Sequence, residues 1–191
     1  MDIINFNWNW MVFNLILASI GVGLGYVFLG TKQPLFKFII FLLWILFLPN
    51  TIYLLTDLQH LPDQFYRIDN EYKITLMFQY VLLLSFGIIS FVVGLWPLEK
   101  FILSFKTRER RQISFYSIIL MNFLIGVGVV LGKELRTHSW YVFTDYTRVL
   151  EDLKTFISTP VYIVFALSFG ILGNLIYFAF NNKFAKYLKK K

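Results

Sequence analysis

The residues that could do chemistry in this chain are concentrated in two short segments. The first is FLPNTIYLLTDLQHL, residues 47–61. At 100° per residue, Asn50, Tyr53, Asp57 and His60 fall within an arc of roughly 80°, one polar stripe along one helical face. The second is LGKELRTHSWYVFTD, residues 131–145, which brings Glu134, Arg136, His138, Ser139 and Trp140 close together in the chain. A carboxylate at membrane depth needs a partner, so the first reading of Asp57 is an ion pair with Arg136. The functional reading gives Arg136, with its planar bidentate donors, an anionic group such as phosphate or carboxylate to hold. Asp57 with His60 (i, i+3) and Glu134 with His138 (i, i+4) also have spacing that would suit two metal ligands on a helical face. No stronger metal signature accompanies them, and the plainer reading makes both histidines interfacial hydrogen-bonders. Ser139 beside His138 hints at a hydrolase, yet no nucleophile-elbow motif surrounds the serine.

What must position these residues is a membrane bundle. The chain has 191 residues, 58% of them hydrophobic and 20% aromatic, with a mean hydropathy of +0.64. That composition lies outside the soluble range. A net charge of +7 would otherwise raise the question of nucleic acid, but the basic residues sit between and after apolar runs, so no nucleic-acid partner is expected. There is no cysteine, which removes disulfides, thiolate nucleophiles and cysteine-ligated metals. No cofactor is expected. The opening MDIINFNWNW has neither Lys nor Arg and does not read as a removable leader.

A helix crosses a hydrocarbon core of about 30 Å with about 20 apolar residues. Five runs meet that length, at approximately 10–29, 35–55, 74–96, 113–132 and 156–180. In lipid each run must satisfy its own backbone, so all are helices whatever their β-branched content. Residues 142–155 recur at helical spacing, with Val142, Phe143, Tyr146, Val149, Leu150 and Leu153 on one face. They predict an amphipathic helix, lying on the membrane surface or packed on the bundle's own loops. The expected fold is therefore all-α: one integral domain over residues 1–191, a polytopic bundle of about five transmembrane helices plus one amphipathic surface helix.

Lys and Arg distribute twelve to six between alternate connections, the larger share including the tail. Positive loops stay cytoplasmic, which predicts a plasma-membrane protein with its amino terminus outside and its carboxyl terminus inside. Both polar segments then lie on the outer side. Pro49 predicts a kink that frees a carbonyl near Ile45 for Asn50 or water. Asn14 and Gln79 add polar groups to the outer half, suggesting a cavity open on that side. Asn122 and Asn174, deeper, are expected to bond between helices. Gly21 with Gly25, Ser90 with Gly94, and Gly128 with Gly132 mark close helix approaches.

At the two polar segments the chain resembles the domain-of-unknown-function 1361 family of bacterial multi-pass membrane proteins. The resemblance rests on WILFLPNTIYLLTDLQHL, residues 44–61, on GVVLGKELRTHSWYV, residues 128–142, and on FNLILAS near the start. Pro49, Asn50, Tyr53, Thr56, Asp57, His60, Gly132, Arg136, Ser139 and Trp140 fit the family pattern. Lys133, Glu134, His138 and Tyr141 stand where that pattern carries Arg, Phe, Asn and Asp, which counts against a metal site at Glu134 and His138. The resemblance brings no activity with it. The function expected is a binding or accessory role, not an enzymatic one, at an outward polar site formed by Asn50, Tyr53, Asp57, His60, Arg136 and Trp140. The partners expected are the lipid bilayer and an anionic ligand or membrane protein at the outer face. The alternatives are an enzyme acting on a lipid-linked or envelope substrate, and a small-solute transporter.

Overall fold

Backbone groups that cannot reach water must bond within their own segment, and the chain complies with long helices. A computed structural model describes residues 2–105 and 108–188, with side chains from 3 to 181. Lys106 and the tail lysines that enter the charge count lie outside those described side chains. The helices are α1 (Asp2–Gly30), α2 (Pro34–Phe47), α3 (Pro49–Thr56), α4 (Leu61–Arg67), α5 (Lys73–Leu103), α6 (Arg110–Glu134), α7 (Tyr141–Thr144), α8 (Tyr146–Ser158) and α9 (Pro160–Leu188). Five stretches are long and apolar enough to cross a membrane: Ile3–Gly30, Pro34–Arg67, Asn70–Leu103, Arg110–Glu134 and Pro160–Asn181. The all-α, five-span reading holds, and the chain is a multi-pass membrane protein. No strand occurs among the described residues.

The second span departs most from a simple rod. Pro49 has no N–H to donate four residues back, so the helix stops at Phe47 and restarts at Pro49 with Leu48 between. It then tightens into a 3-10 turn over Asp57–His60 before α4, whose first turn holds Pro62. α3 is the hub of the bundle, packed against α1, α5 and α6, while α9 packs chiefly on α6. Trp44, Leu48, Ile52, Phe91, Leu95, Ile118 and Val129 are fully or nearly fully buried in the central core.

Close approach depends on absent side chains at particular positions. A Cβ on Gly128 would lie 2.5 Å from Pro49 Cγ, so α6 can pass the proline only as glycine. One on Gly21 would meet the Phe47 carbonyl at 2.9 Å, and one on Gly25 would meet Trp44 Nε1 and Pro97 Cγ at 2.9 Å. Gly126 on α6 faces the Ala166 carbonyl of α9 at closer range still. Gly132 differs from its neighbour one turn back, since a Cβ there meets nothing nearer than the Tyr53 ring at 3.7 Å.

The amphipathic stretch predicted over 142–155 is two helices, because Asp145, with φ −154° and ψ 67°, leaves helical geometry and caps α8. Its carboxylate accepts from the Arg148 amide at 3.2 Å and from Thr147 Oγ1 at 2.9 Å, the usual service of an N-cap acid. The last span begins at Pro160, not 156, because Thr159 is extended before the proline. Thr137 Oγ1 donates to Asp152 at 2.6 Å and ties α8 to the end of α6.

Candidate functional site

Both polar segments reach the same end of the bundle, but their side chains divide into two adjoining groups. The first surrounds Asp57, whose side chain is 5% exposed. Asn14 Nδ2 donates to one carboxylate oxygen at 2.9 Å, and Lys133 Nζ lies 3.7 Å from the other. The counter-ion is therefore Lys133 and not Arg136. Lys133 occupies the last turn of α6, where a cation faces the negative end of the helix dipole as well as the acid. Its ammonium also lies 5.4 Å from the centroid of the Tyr53 ring.

The second group forms the walls of a cleft of about 190 Å³. Arg136, His138, Ser139 and Trp140 contribute to its rim, Asn50 and Tyr53 to its α3 side, and Asn14 links it to the Asp57 group. Arg136 is the only described non-glycine residue with positive φ, at 57°. There the chain leaves α6 in the left-handed conformation that helices use to stop, and the Thr137 amide closes back on the Leu131 carbonyl at 3.0 Å. Glycine normally takes this position, because a Cβ in this region costs on the order of 1 kcal/mol. Among the described residues Arg136 has no ion-pair or hydrogen-bond partner, and its side chain is exposed over the cleft.

The floor of the cleft is the proline break. Ser139 Oγ donates to the Leu46 carbonyl at 2.8 Å, and Asn50 Nδ2 donates to the Phe47 carbonyl at 3.0 Å. Asn50 Nδ2 also lies 3.4 Å from Ser139 Oγ. The carbonyls disturbed by Pro49 are thus served by one residue from each segment. The expected demand near Ile45 is met one and two residues further on. This commits the Ser139 hydroxyl, and it does not face His138 as a nucleophile would face its base.

His138 instead stacks on Trp140, centroids 4.4 Å apart and planes 8° from parallel. Partial burial, then the neighbouring charges of Arg148 and Arg136, push its imidazole below the usual range, so it is neutral at pH 7. His60 is exposed, with its ring 3.2 Å from Gln59 Nε2 and edge-on to Trp10 at 6.0 Å. The 3-10 turn rises about 2 Å per residue, which lifts His60 above the packed carboxylate of Asp57. The helical-face pairing of Glu134 with His138 does not form, since α6 ends at Glu134 and the chain turns at Arg136. Among the described residues no three of His, Asp and Glu gather as a metal group.

Gln79 belongs elsewhere. Its Nε2 donates to the Ile4 carbonyl at 3.1 Å, beside a reciprocal amide pair of Asn7 with Gln64 at 2.7 and 2.9 Å. Tyr80 and Trp10 complete that network, which pins the start of α1 to α4 and α5. Deeper, Asn122 donates to Asn174 at 2.9 Å between α6 and α9, as expected of an interhelical amide. Glu99 accepts from Tyr177 and Asn181 at 2.7 and 2.6 Å near the other end of the bundle. The sequence reading missed this last group, although Glu99, inside a long apolar helix, was the signal for it.

Breaking a buried pair strands one charge, which typically costs about 3–5 kcal/mol, whereas replacing both partners costs far less. Lys133→Met is expected to lower the thermal midpoint in detergent sharply, and Asp57→Asn in the same chain to recover most of the loss. Independent, additive losses in the double variant would show that the two side chains are not paired.

The chain matches the model of a family described as Protein of unknown function (DUF1361) over residues 13–176. No curated protein and no solved structure matches it. The matched region takes in the Asp57 pair, the proline break and the whole cleft rim. This five-span membrane protein belongs to the DUF1361 family.

Proposed function

We propose that the chain is a non-enzymatic binding protein that holds a small anionic group at the outer membrane interface. One observation carries the reading: a guanidinium without a partner among the described residues is kept at a strained left-handed position over the cleft. A helix stop alone would be served better by glycine. An arginine there offers five donors in a fixed fork, suited to phosphate or carboxylate. The imidazole of His138 adds a polar edge beside the guanidinium, and Trp140 fits the interfacial level. The six residues named for the site thus separate in role. Asn50, Tyr53, Arg136 and Trp140 line the cleft, Asp57 is paired with Lys133 beside it, and His60 stands apart, against Gln59 and Trp10.

A binding role suits these contacts better than the alternatives do. A hydrolase would need Ser139 free to meet a base, and its hydroxyl is engaged by Leu46. A transporter would need a polar route onward, and below the cleft α3 and α6 meet through Ile52, Ile125 and Val129. Placement on the outer side of the plasma membrane is supported by the charge of the connections.

The two parts of the proposal are tested separately. In a chain without cysteine, Glu151→Cys creates a single exposed thiol on α8. It is expected to react with a membrane-impermeant maleimide in intact cells, and labelling only after lysis would reverse the orientation. For the site, inorganic phosphate is expected to raise the thermal midpoint of the purified protein. Arg136→Gly is expected to gain about 1 kcal/mol of stability by relieving the backbone while losing the phosphate response. A glycine variant that still responds to phosphate would remove Arg136 from the site and end the anion-binding reading.

A further inference from the structure

The cleft has a second property that depends on helix arrangement more than on its rim. α1 and α6 both pack on α3, but they share no substantial interface with each other. Phe13, Asn14 and Leu17 of α1 form one wall, and Gly128, Leu131 and Gly132 of α6 form the other. Between Gly128 and Gly132 the groove runs about 6 Å along α6, a helix rising 1.5 Å per residue. Pro49 meets Gly128 at its lower end, and the cleft rim with Arg136 lies at its upper end.

The polar groups are few: Asn50 and Ser139 sit at the proline break and Arg136 at the rim. Between them the walls are Phe13, Leu17, Leu46 and Leu131, and outside the groove Val12, Ile16, Leu120 and Leu124 are exposed on the two flanking helices. In a membrane those flanks face acyl chains. Because α1 and α6 do not close on each other, an exit between them would face the leaflet, whereas a site for a water-borne solute needs an opening only along the bundle axis. A volume of about 190 Å³ accommodates a phosphate with a few attached carbons, but not an acyl chain. A ligand with a longer apolar part would have to leave by that exit. α8 lies over this end with Val149 on the cleft and Leu150 and Ile157 exposed. That places an amphipathic helix at headgroup level.

Building on the anion-binding reading above, we propose that the occupant is a membrane lipid with an anionic phosphate head. Its phosphate pairs with Arg136, and the beginning of its chain lies in the groove between α1 and α6. Charge complementarity selects the head, because the rim carries an unpaired cation and no carboxylate lines the cleft. The apolar walls select an amphiphile over a free anion. The occupant is accordingly a phospholipid-like molecule and not a soluble phosphate ester.

Gly132 makes the test clean. A Cβ there meets only ordinary contacts, at 3.7 Å from Tyr53 and 3.9 Å from the Thr137 carbonyl, so Gly132→Leu fills the groove without the clash that a side chain on Gly128 would cause. The purified full chain, exchanged into a fixed mixture of phosphatidylglycerol and phosphatidylcholine, is examined by native mass spectrometry for retained lipid. The wild type is expected to retain phosphatidylglycerol preferentially. Arg136→Gln and Gly132→Leu are each expected to reduce that retention about tenfold while the thermal midpoint without ligand stays near the wild type. Arg136→Gln is expected to lose the thermal response to inorganic phosphate that the wild type shows.

Three results would overturn the proposal. Equal retention of both lipids with an intact phosphate response would leave a site for soluble anions only. Retention unaffected by either substitution would place the lipid elsewhere on the bundle. Absence of both lipid preference and phosphate response would remove the anion-binding reading as well.

Discussion

A proline in the second span takes one backbone donor out of a medium with no water to replace it, and much of this end of the bundle follows from that loss. The cost of an unsatisfied carbonyl in hydrocarbon is several kcal/mol, so the break at Leu48 is tolerable only if other donors arrive. They come from both directions in the chain. Asn50 reaches back to Phe47 from the next turn, and Ser139 crosses from the segment after α6 to Leu46. The second contact spans 93 positions of sequence, and it joins the two polar segments into one unit.

The same proline dictates the shape around it. Its ring demands a glycine on α6, which Gly128 supplies, and the missing side chain leaves the start of a groove. α6 then has to end and turn back so that Ser139 can reach the break. The turn is made at Arg136 in a conformation that favours glycine, and the arginine is thereby held over the cleft. The buried charge is handled apart from this, with Asn14 and Lys133 enclosing Asp57. Tyr53 and Asn14 touch both arrangements, so the ion pair stiffens one wall of the cleft without taking part in its rim.

Five spans were legible because length and hydropathy suffice when the solvent is lipid. The helix stop at Thr159 and the split at Asp145 were less so, since they depend on one dihedral each. The kink could be read from Pro49 and a role for Asn50 from its place beside it, but the carbonyl that Asn50 reaches is that of Phe47 and not the one expected near Ile45. That Ser139 would share the task could not be read, because periodicity says nothing about contacts between distant segments. The partner of Asp57 shows the same limit. Lys133 and Arg136 are three residues apart on one side of the membrane, and the choice between them rests on where α6 ends. Reading 100° per residue through to His60 overlooked the 3-10 turn, which changes height more than direction. Gln79 was placed by depth in the membrane, but its partners are set by the rotation of α5, which depth does not reveal.

The central physical claim is that Ser139 is held by the break in the second span. The direct measurement is the thermodynamic coupling between Ser139→Ala and Pro49→Ala in detergent-solubilised protein. In the wild-type background, loss of the hydroxyl should cost about 1–3 kcal/mol, the usual penalty for a buried acceptor left without its donor. With alanine at position 49 the helix can close its own ladder, and the cost of Ser139→Ala should shrink towards zero. An equal cost in both backgrounds would contradict the claim, because the serine would then be serving something other than the proline break.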